Sequence, residues 1–389
     1  MPFYAALVRE GRAPKQFQSW DQFRATMPLL DRALVQERSD DLSDSSRTPD
    51  FVRTTGGSTA QPVQLPSWNS ELEYGNSDSW WARSWFGIFP ADGLFLLWGH
   101  SHQLGKGARG RVNALCREWK DWLLGYLRWS AYDLSMDALR RGAEVLIRFR
   151  PDYIIGYSVA LDRLARVNAD RAAEFRALGV KAIIATAEAF PRSDSADFIA
   201  ALFRCPVAME YGSVECGPVA HQRPSGEYEI FWRHWFVEGI ASREVAGAFE
   251  VVLTSLYPRC FPLVRYQMGD LISADPNALL FEQKFERVIG RCNDSLVLPD
   301  GGIIHSEAFT HAVKECAFVL SFQVVQSRNG NIEFNYIPAP RNQPDESEIR
   351  RRLRVIHPTL EHIALRQVNA IPQTIAGKTR SIVKEAANA

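Results

Sequence analysis

Between residues 137 and 212 the chain alternates short apolar runs with segments of helical spacing, an order that few architectures accept. Residues 152–156 read as a strand, and Leu161, Leu164 and Val167 mark a helix. The β-branched run at 182–186 is a second strand, 193–203 a second helix, and 206–209 a third strand leading into Tyr211-Gly212. Strands separated by helices require right-handed crossovers and a parallel sheet, and ligands bind such sheets beyond the strand ends. The expected class is therefore α/β.

A second domain follows from length and from a change of pattern. The chain has 389 residues, more than one core commonly supports. After the strand at 248–254 and the segment around Tyr266, a polar crossing at 288–295 looks like a boundary. Beyond it lie a hairpin at 296–298 and 301–305, a helix to about residue 317, and two strands at 318–326 and 331–337 joined by Asn329-Gly330. A charged helix at 345–356 and a strand at 364–368 complete a small α+β domain. The expected division is a large N-terminal domain with parallel-containing sheets and helices, residues 1–292, and a small mobile C-terminal domain, residues 293–389. Near the start, Trp20, Phe23, Met27, Leu30 and Leu34 share a helical face broken by Pro28, which predicts two short helices.

Charge excludes some partners. Lys+Arg and Asp+Glu both number 45, so bulk attraction to nucleic acid or to an anionic bilayer is not expected. No apolar run reaches the roughly 18 residues of a membrane span, and the first residues lack the order of a secretory signal, so a cytoplasmic protein is expected. The six cysteines form no Cys-x-x-Cys pair; Cys216 with His221 is the pairing from which a zinc site could start.

Several short segments carry groups suited to chemistry. Thr54-Thr55-Gly56-Gly57-Ser58-Thr59-Ala60-Gln61-Pro62 combines adjacent glycines with hydroxyls, as an anion cradle does and as an ordinary polar turn also does. Glu188 in Thr186-Ala187-Glu188-Ala189 and Glu215 in Tyr211-Gly212-Ser213-Val214-Glu215 lie just past strands, where a carboxylate holds a metal or a ribose hydroxyl, or is merely solvated. Asp270 follows Gly269 at a strand end. The aromatic block that ends in Trp98-Gly99-His100 is either core or pocket wall. The basic, glycine-rich segment at 105–111 is either a phosphate or CoA contact or a surface loop.

In their order these segments resemble the adenylate-forming (ANL) superfamily, in particular the branch of phenylacetate-CoA ligase and its capsule-locus relatives. The resemblance rests on the Thr/Ser/Gly loop, Tyr211-Gly212-x-x-Glu215, Tyr266-x-x-Gly269-Asp270-Leu271, Gly290-Arg291-x-Asn293-Asp294 and Gly377-Lys378 near the end. It implies that ATP and a carboxylic acid, aromatic or heteroaromatic, form an acyl-adenylate and pyrophosphate, and that the thiol of CoA then displaces AMP. Transfer to a carrier-protein thiol or an amine, and a catalytically impaired nucleotide-binding homologue, are the alternatives.

The same resemblance assigns roles. Thr54, Thr55, Gly56, Gly57, Ser58 and Thr59 would hold the pyrophosphate side of ATP. Glu188, Tyr211, Gly212, Asp270 and Arg291 would bind the rest of the nucleotide. Glu215 would carry Mg²⁺. Lys378, Glu215 and Arg291 would be catalytic, and Asn293 and Asp294 would form the hinge. Tyr132, Tyr157, Trp98, His100, Ala187 and Gly212 would line the acid pocket, with Trp81, Trp85 and Phe190 as further candidates. The expected partners are the acid, CoA or a carrier protein, and a second copy in a homodimer, with no nucleic acid and no membrane. Departures from the family are Ala60 and Asn293, and Val214 where the motif usually has threonine.

Overall fold

The structure, a computed structural model, describes residues 1–389 apart from 55–63, 99–106, 132, 243–244, 246, 292–294, 299–302, 315, 340–342, 373–378 and 386–389. It divides into two compact units that do not follow linear order. One joins residues 1–82 to 211–292, and the other joins 83–210 to 293–389.

The first unit begins with helix Pro2–Arg9, followed by the two short helices that Pro28 separates. Ser19 caps Trp20–Thr26 by accepting from the Gln22 N–H, and Asp31 caps Arg32–Glu37 by accepting from the Leu34 N–H. Trp20 stacks on Phe236 at 4.0 Å between ring centroids, which fixes the first of these helices against a four-stranded antiparallel sheet. That sheet runs in the order Trp235–Ala241, Ala248–Ser255, Tyr266–Ser273, Arg287–Arg291. Strands Phe51–Thr54 and Gln64–Ser67 pair with Thr54 opposite Gln64, so the sequence between them leaves from and returns to one place. Strand Gly217–Gln222 pairs with Tyr228–Ile230, which pairs in turn with Lys284–Phe285.

The second unit carries the parallel sheet. Residues 207–209 pair with Ala182–Thr186, followed by Tyr153–Tyr157, Leu94–Trp98 and Tyr126–Ser130, and every pairing is parallel. Helices Gly107–Leu123, Met136–Phe149, Ser158–Val167 and Ser195–Phe203 make the crossovers. All five residues of Tyr153–Tyr157 and of Ala182–Thr186 are buried. Such burial is why these strands read as unbroken apolar runs rather than alternating ones. From Leu94–Trp98 the chain moves outward to Tyr126–Ser130, then returns to the other flank at Tyr153–Tyr157 and continues away. Between Leu94–Trp98 and Tyr153–Tyr157 the strand order therefore reverses.

The C-terminal part of this unit has the expected α+β pattern. Val319–Gln326 and Ile332–Pro338 pair antiparallel, with Ile382–Lys384 and Ala364–Gln367 added in parallel on the outer edges. Helices Ser306–Lys314 and Glu346–Ile356 pack on the sheet around Phe309, Phe322, Phe334 and Leu353. Leu320, Ile337 and Ile371 instead join the core of the parallel sheet, and the buried Arg192 donates to the carbonyls of Cys316 (3.3 Å) and Val319 (2.9 Å). The basic segment at 105–111 opens no loop at its C-terminal end: residues 107–111 begin the helix Gly107–Leu123. Among the described residues no helix is long and apolar enough to cross a membrane.

Candidate active site

In the first unit Tyr211 and Asp270, far apart in sequence, meet. The Tyr211 hydroxyl donates to Asp270 Oδ2 at 3.0 Å, and both residues are buried. Asp270 follows Gly269, whose φ of +73° lies in the left-handed region that glycine adopts without strain. In the antiparallel register Asp270 stands opposite Arg291. Three of the five ordered motifs thus converge on one edge of a sheet.

Gly212 owes its place to a close approach. A Cβ there would lie 2.2 Å from the Gly217 carbonyl oxygen, so the backbone of strand Val207–Ser213 can pass the next turn only without a side chain. That turn carries Glu215, whose N–H donates to Ser213 Oγ at 3.2 Å. Its carbonyl is held from within: Arg259 Nη2 donates to the Glu215 oxygen at 2.6 Å and Nη1 to the Cys216 oxygen at 3.4 Å. The Arg259 side chain has no exposure, and its counter-charge is the equally buried Glu71 at 3.7 Å. Glu71 also lies 3.5 Å from Arg53 and accepts from the Cys260 N–H at 2.9 Å. One carboxylate thereby ties the Glu215 turn to the residue before Thr54. Burial and the nearby Arg259 charge push the Arg53 guanidinium below its ordinary pKa.

Glu215 as a residue is 9% exposed, and its carboxylate takes no hydrogen bond among the described residues. A carboxylate without such a partner has the oxygen donors that a hard cation such as Mg²⁺ takes. Cys216 has another use: its thiol lies 3.1 Å from Ser213 Oγ, burial pushes its pKa up to about 11, and His221 Nδ1 pairs with the Gln222 carbonyl at 2.8 Å. Among the described residues no group of three or more His, Cys, Asp or Glu could hold a metal ion.

In the second unit Trp98 and Tyr157 end the two strands between which the order reverses, with ring centroids 4.5 Å apart at 48°. The crevice beyond such strand ends is where open parallel sheets bind ligands. Next to it Ala187 adopts φ +75°, an uncommon value for a residue with a side chain, and its methyl packs against the core. Glu188 is drawn into local structure. Oε1 accepts from the Val159 N–H at 3.4 Å, Oε2 from the Thr379 N–H at 2.9 Å, and its carbonyl from the Ser158 hydroxyl at 2.7 Å. A carboxylate at the start of helix Ser158–Val167 also complements the helix dipole. Thr379 is the residue after Lys378 in the chain.

The expected residues Thr55, Gly56, Gly57, Ser58, Thr59, His100, Tyr132, Asn293, Asp294 and Lys378 lie outside the described residues, and Thr54 and Arg291 are described as backbone only. Trp81 belongs to a different cluster, with the Arg223 and Arg233 guanidinium groups 5.7 and 5.5 Å from its ring. Sequence patterns missed Arg259 and Glu71. A fully buried ion pair between distant segments leaves no periodic trace, and the one local sign is that Arg259 sits between two prolines at 258 and 262.

Residues 296–385 match the family model described as the CapK C-terminal domain. Protein CapK of Staphylococcus aureus is 28% identical over 267 residues, which cover 66% of this chain and 58% of that relative, so the chain spans under two thirds of the relative's length. Among solved structures, 2-hydroxyisobutyryl-CoA ligase in complex with 2-HIB-AMP superposes with a TM-score of 0.71 at 17% identity, covering 99% of this chain and 85% of the other. The anthranilate CoA ligase AuaEII in complex with anthranoyl-AMP gives 0.58 at 13% identity, covering 97% and 79%. The chain thus carries a segment that matches the CapK C-terminal domain, is similar to protein CapK, and shares its fold with solved acyl- and aryl-CoA ligases.

Proposed function

We propose that the protein activates a carboxylic acid with ATP and passes the acyl group to the thiol of CoA. A carboxylate oxygen attacks the α-phosphorus while the bond to pyrophosphate breaks; the CoA sulfur then bonds to the acyl carbon and AMP leaves. The observation that carries this reading is the Tyr211–Asp270 hydrogen bond of 3.0 Å, with Asp270 in register with Arg291. It gives a buried carboxylate, fixed in direction, of the kind that receives two ribose hydroxyls. When bound at Glu215, Mg²⁺ would neutralise charge on phosphate oxygens. The Arg259–Glu71 pair fixes the backbone that presents Glu215. Donors in the 54–59 loop and Lys378 are assigned to the departing pyrophosphate, where charge grows in the transition state.

An aromatic or heteroaromatic acid is favoured by the Trp98–Tyr157 pair, because flat rings stack on such walls. Two neighbours of this fold are described with acyl-adenylates, one of them anthranoyl-AMP. In this reading residues 293–389 swing about Asn293-Asp294 between the two steps, bringing Lys378 in for the first.

ATP–pyrophosphate exchange over a panel of benzoates, phenylacetates, indole and pyrrole carboxylates is the direct test. Exchange with at least one acid supports the proposal, and none with any acid refutes it. Lys378→Ala is expected to abolish exchange yet spare thioester formation from preformed adenylate; equal loss of both steps removes Lys378 from its role. The exposed Val214, where the family has threonine, favours one second reading, a nucleotide-binding homologue without turnover. That reading requires ATP binding in the absence of any exchange.

A further inference from the structure

The helix Gly107–Leu123 is built the wrong way round for a monomer. Val112, Leu115, Trp119, Trp122 and Leu123 are 58, 57, 71, 73 and 77% exposed, while the polar Asp121 is turned inward and paired with Arg128 at 2.5 and 3.0 Å. An ordinary surface helix buries its apolar stripe and exposes its charges. Scattered single apolar residues are normal on a surface, but a contiguous group of this size marks a contact. Trp119 and Trp122 also brace each other edge to face at 5.8 Å, which makes a rigid ridge of them.

We infer that this face is covered by the same face of a second copy of the chain. The spacing of Val112, Leu115, Trp119 and Trp122 is three, four, three, the repeat with which one helix seats along another. The five side chains expose on the order of 700 Å² per copy, close to the ~800 Å² that each partner contributes to a standard interface. Around the apolar face, from residue 112 on, Arg117 and Lys120 balance Glu118 and Asp121, whereas Arg109 and Arg111 make the first turn of the helix basic. A helical wheel puts Glu118 and Lys120 on opposite edges of the apolar face. When two such helices lie parallel about a twofold axis running between them, each Glu118 edge meets the Lys120 edge of the other copy, and the contact closes on itself.

The test uses the full chain in sedimentation velocity and light scattering. Wild type is expected at twice the chain mass, dissociating on dilution. The double variant Trp119→Glu/Trp122→Glu is expected to weaken dimerisation on the order of 100-fold or more, as loss of two central interface tryptophans does. Its circular dichroism and thermal midpoint should match those of the wild-type monomer, because both side chains face solvent in the single chain. A second arm needs no apolar change: Glu118→Lys and Lys120→Glu each weaken the dimer and together restore it. Cys116, exposed at the border of the same face, supplies a third readout, since a short bis-maleimide should join two copies through Cys116. A wild type that stays monomeric at all concentrations overturns the inference. So does a dimer indifferent to the tryptophan and charge variants, or monomeric protein that binds phosphatidylglycerol vesicles through Trp119 and Trp122.

Discussion

Replacing Arg259 by methionine tests whether the Glu215 turn rests on a buried charge. The substitution keeps length and apolar bulk but leaves Glu71 with no exposure and one remaining counter-ion, Arg53 at 3.5 Å. Stripping one partner from a buried pair costs about 3–5 kcal/mol; the surviving Arg53 puts this case near the lower end, about 3 kcal/mol. The donors to the Glu215 and Cys216 carbonyls vanish as well, at about 1 kcal/mol for the shorter bond and less for the one at 3.4 Å. A total near 4 kcal/mol follows, read as a fall in the urea midpoint followed by tryptophan fluorescence. The decisive measurement is the cycle with Glu71→Gln. If the cost lies in an uncompensated carboxylate, the double variant recovers roughly 2 kcal/mol relative to the sum of the singles. A loss below about 1 kcal/mol for Arg259→Met, or strict additivity in the cycle, would show that Arg259 is a solvated lever rather than a buried support.

Three further outcomes follow from the same geometry. Tyr211→Phe removes the hydroxyl that fixes Asp270 and is expected to raise the KM for ATP about tenfold while sparing thioester formation from preformed adenylate; an unchanged ATP dependence contradicts the ribose role of Asp270. At pH 8, iodoacetamide followed by peptide mass mapping should modify the exposed Cys116, while Cys205 and Cys216, whose pKa values burial pushes up to about 12 and about 11, react only after unfolding. Asp162 is wholly buried beside Arg166 at 2.9 Å, and burial raises its carboxyl pKa. Because the folded value lies above the unfolded one, the wild type should gain in thermal midpoint relative to Asp162→Asn as pH falls from neutral through the raised value, with the gain complete below the ordinary carboxylate range. A difference that stays constant from pH 7 to 4 rules this out.

The parallel strands were legible in the sequence because burial on both faces leaves unbroken runs such as Ala182–Thr186. The C-terminal hairpin was legible because Asn329-Gly330 admits few conformations, with Gly330 at φ +84°. The motif order grouped Tyr211 and Asp270 as nucleotide-binding residues without stating a contact; the hydrogen bond between them is a product of the fold. Other features rest on physics that local pattern does not record. Glu71 serves Arg53, Arg259 and the Cys260 N–H from far away in the chain, and one of two glutamates in a polar helix start announces none of this. Glu188 read as a free carboxylate past a strand, yet its acceptors are taken by two backbone N–H groups whose proximity only the fold creates. The helix Gly107–Leu123 was hidden because glycines and arginines at its start suggested a loop, and because its apolar stripe points away from the core.

Ala187 has an evolutionary consequence. An alanine at φ +75° carries about 1 kcal/mol that glycine would not, and packing one methyl group on the core returns about 0.8 kcal/mol. The two nearly cancel, so exchange between alanine and glycine is close to neutral for folding. The backbone beside the crevice can therefore keep its left-handed turn with either residue at almost no cost in stability.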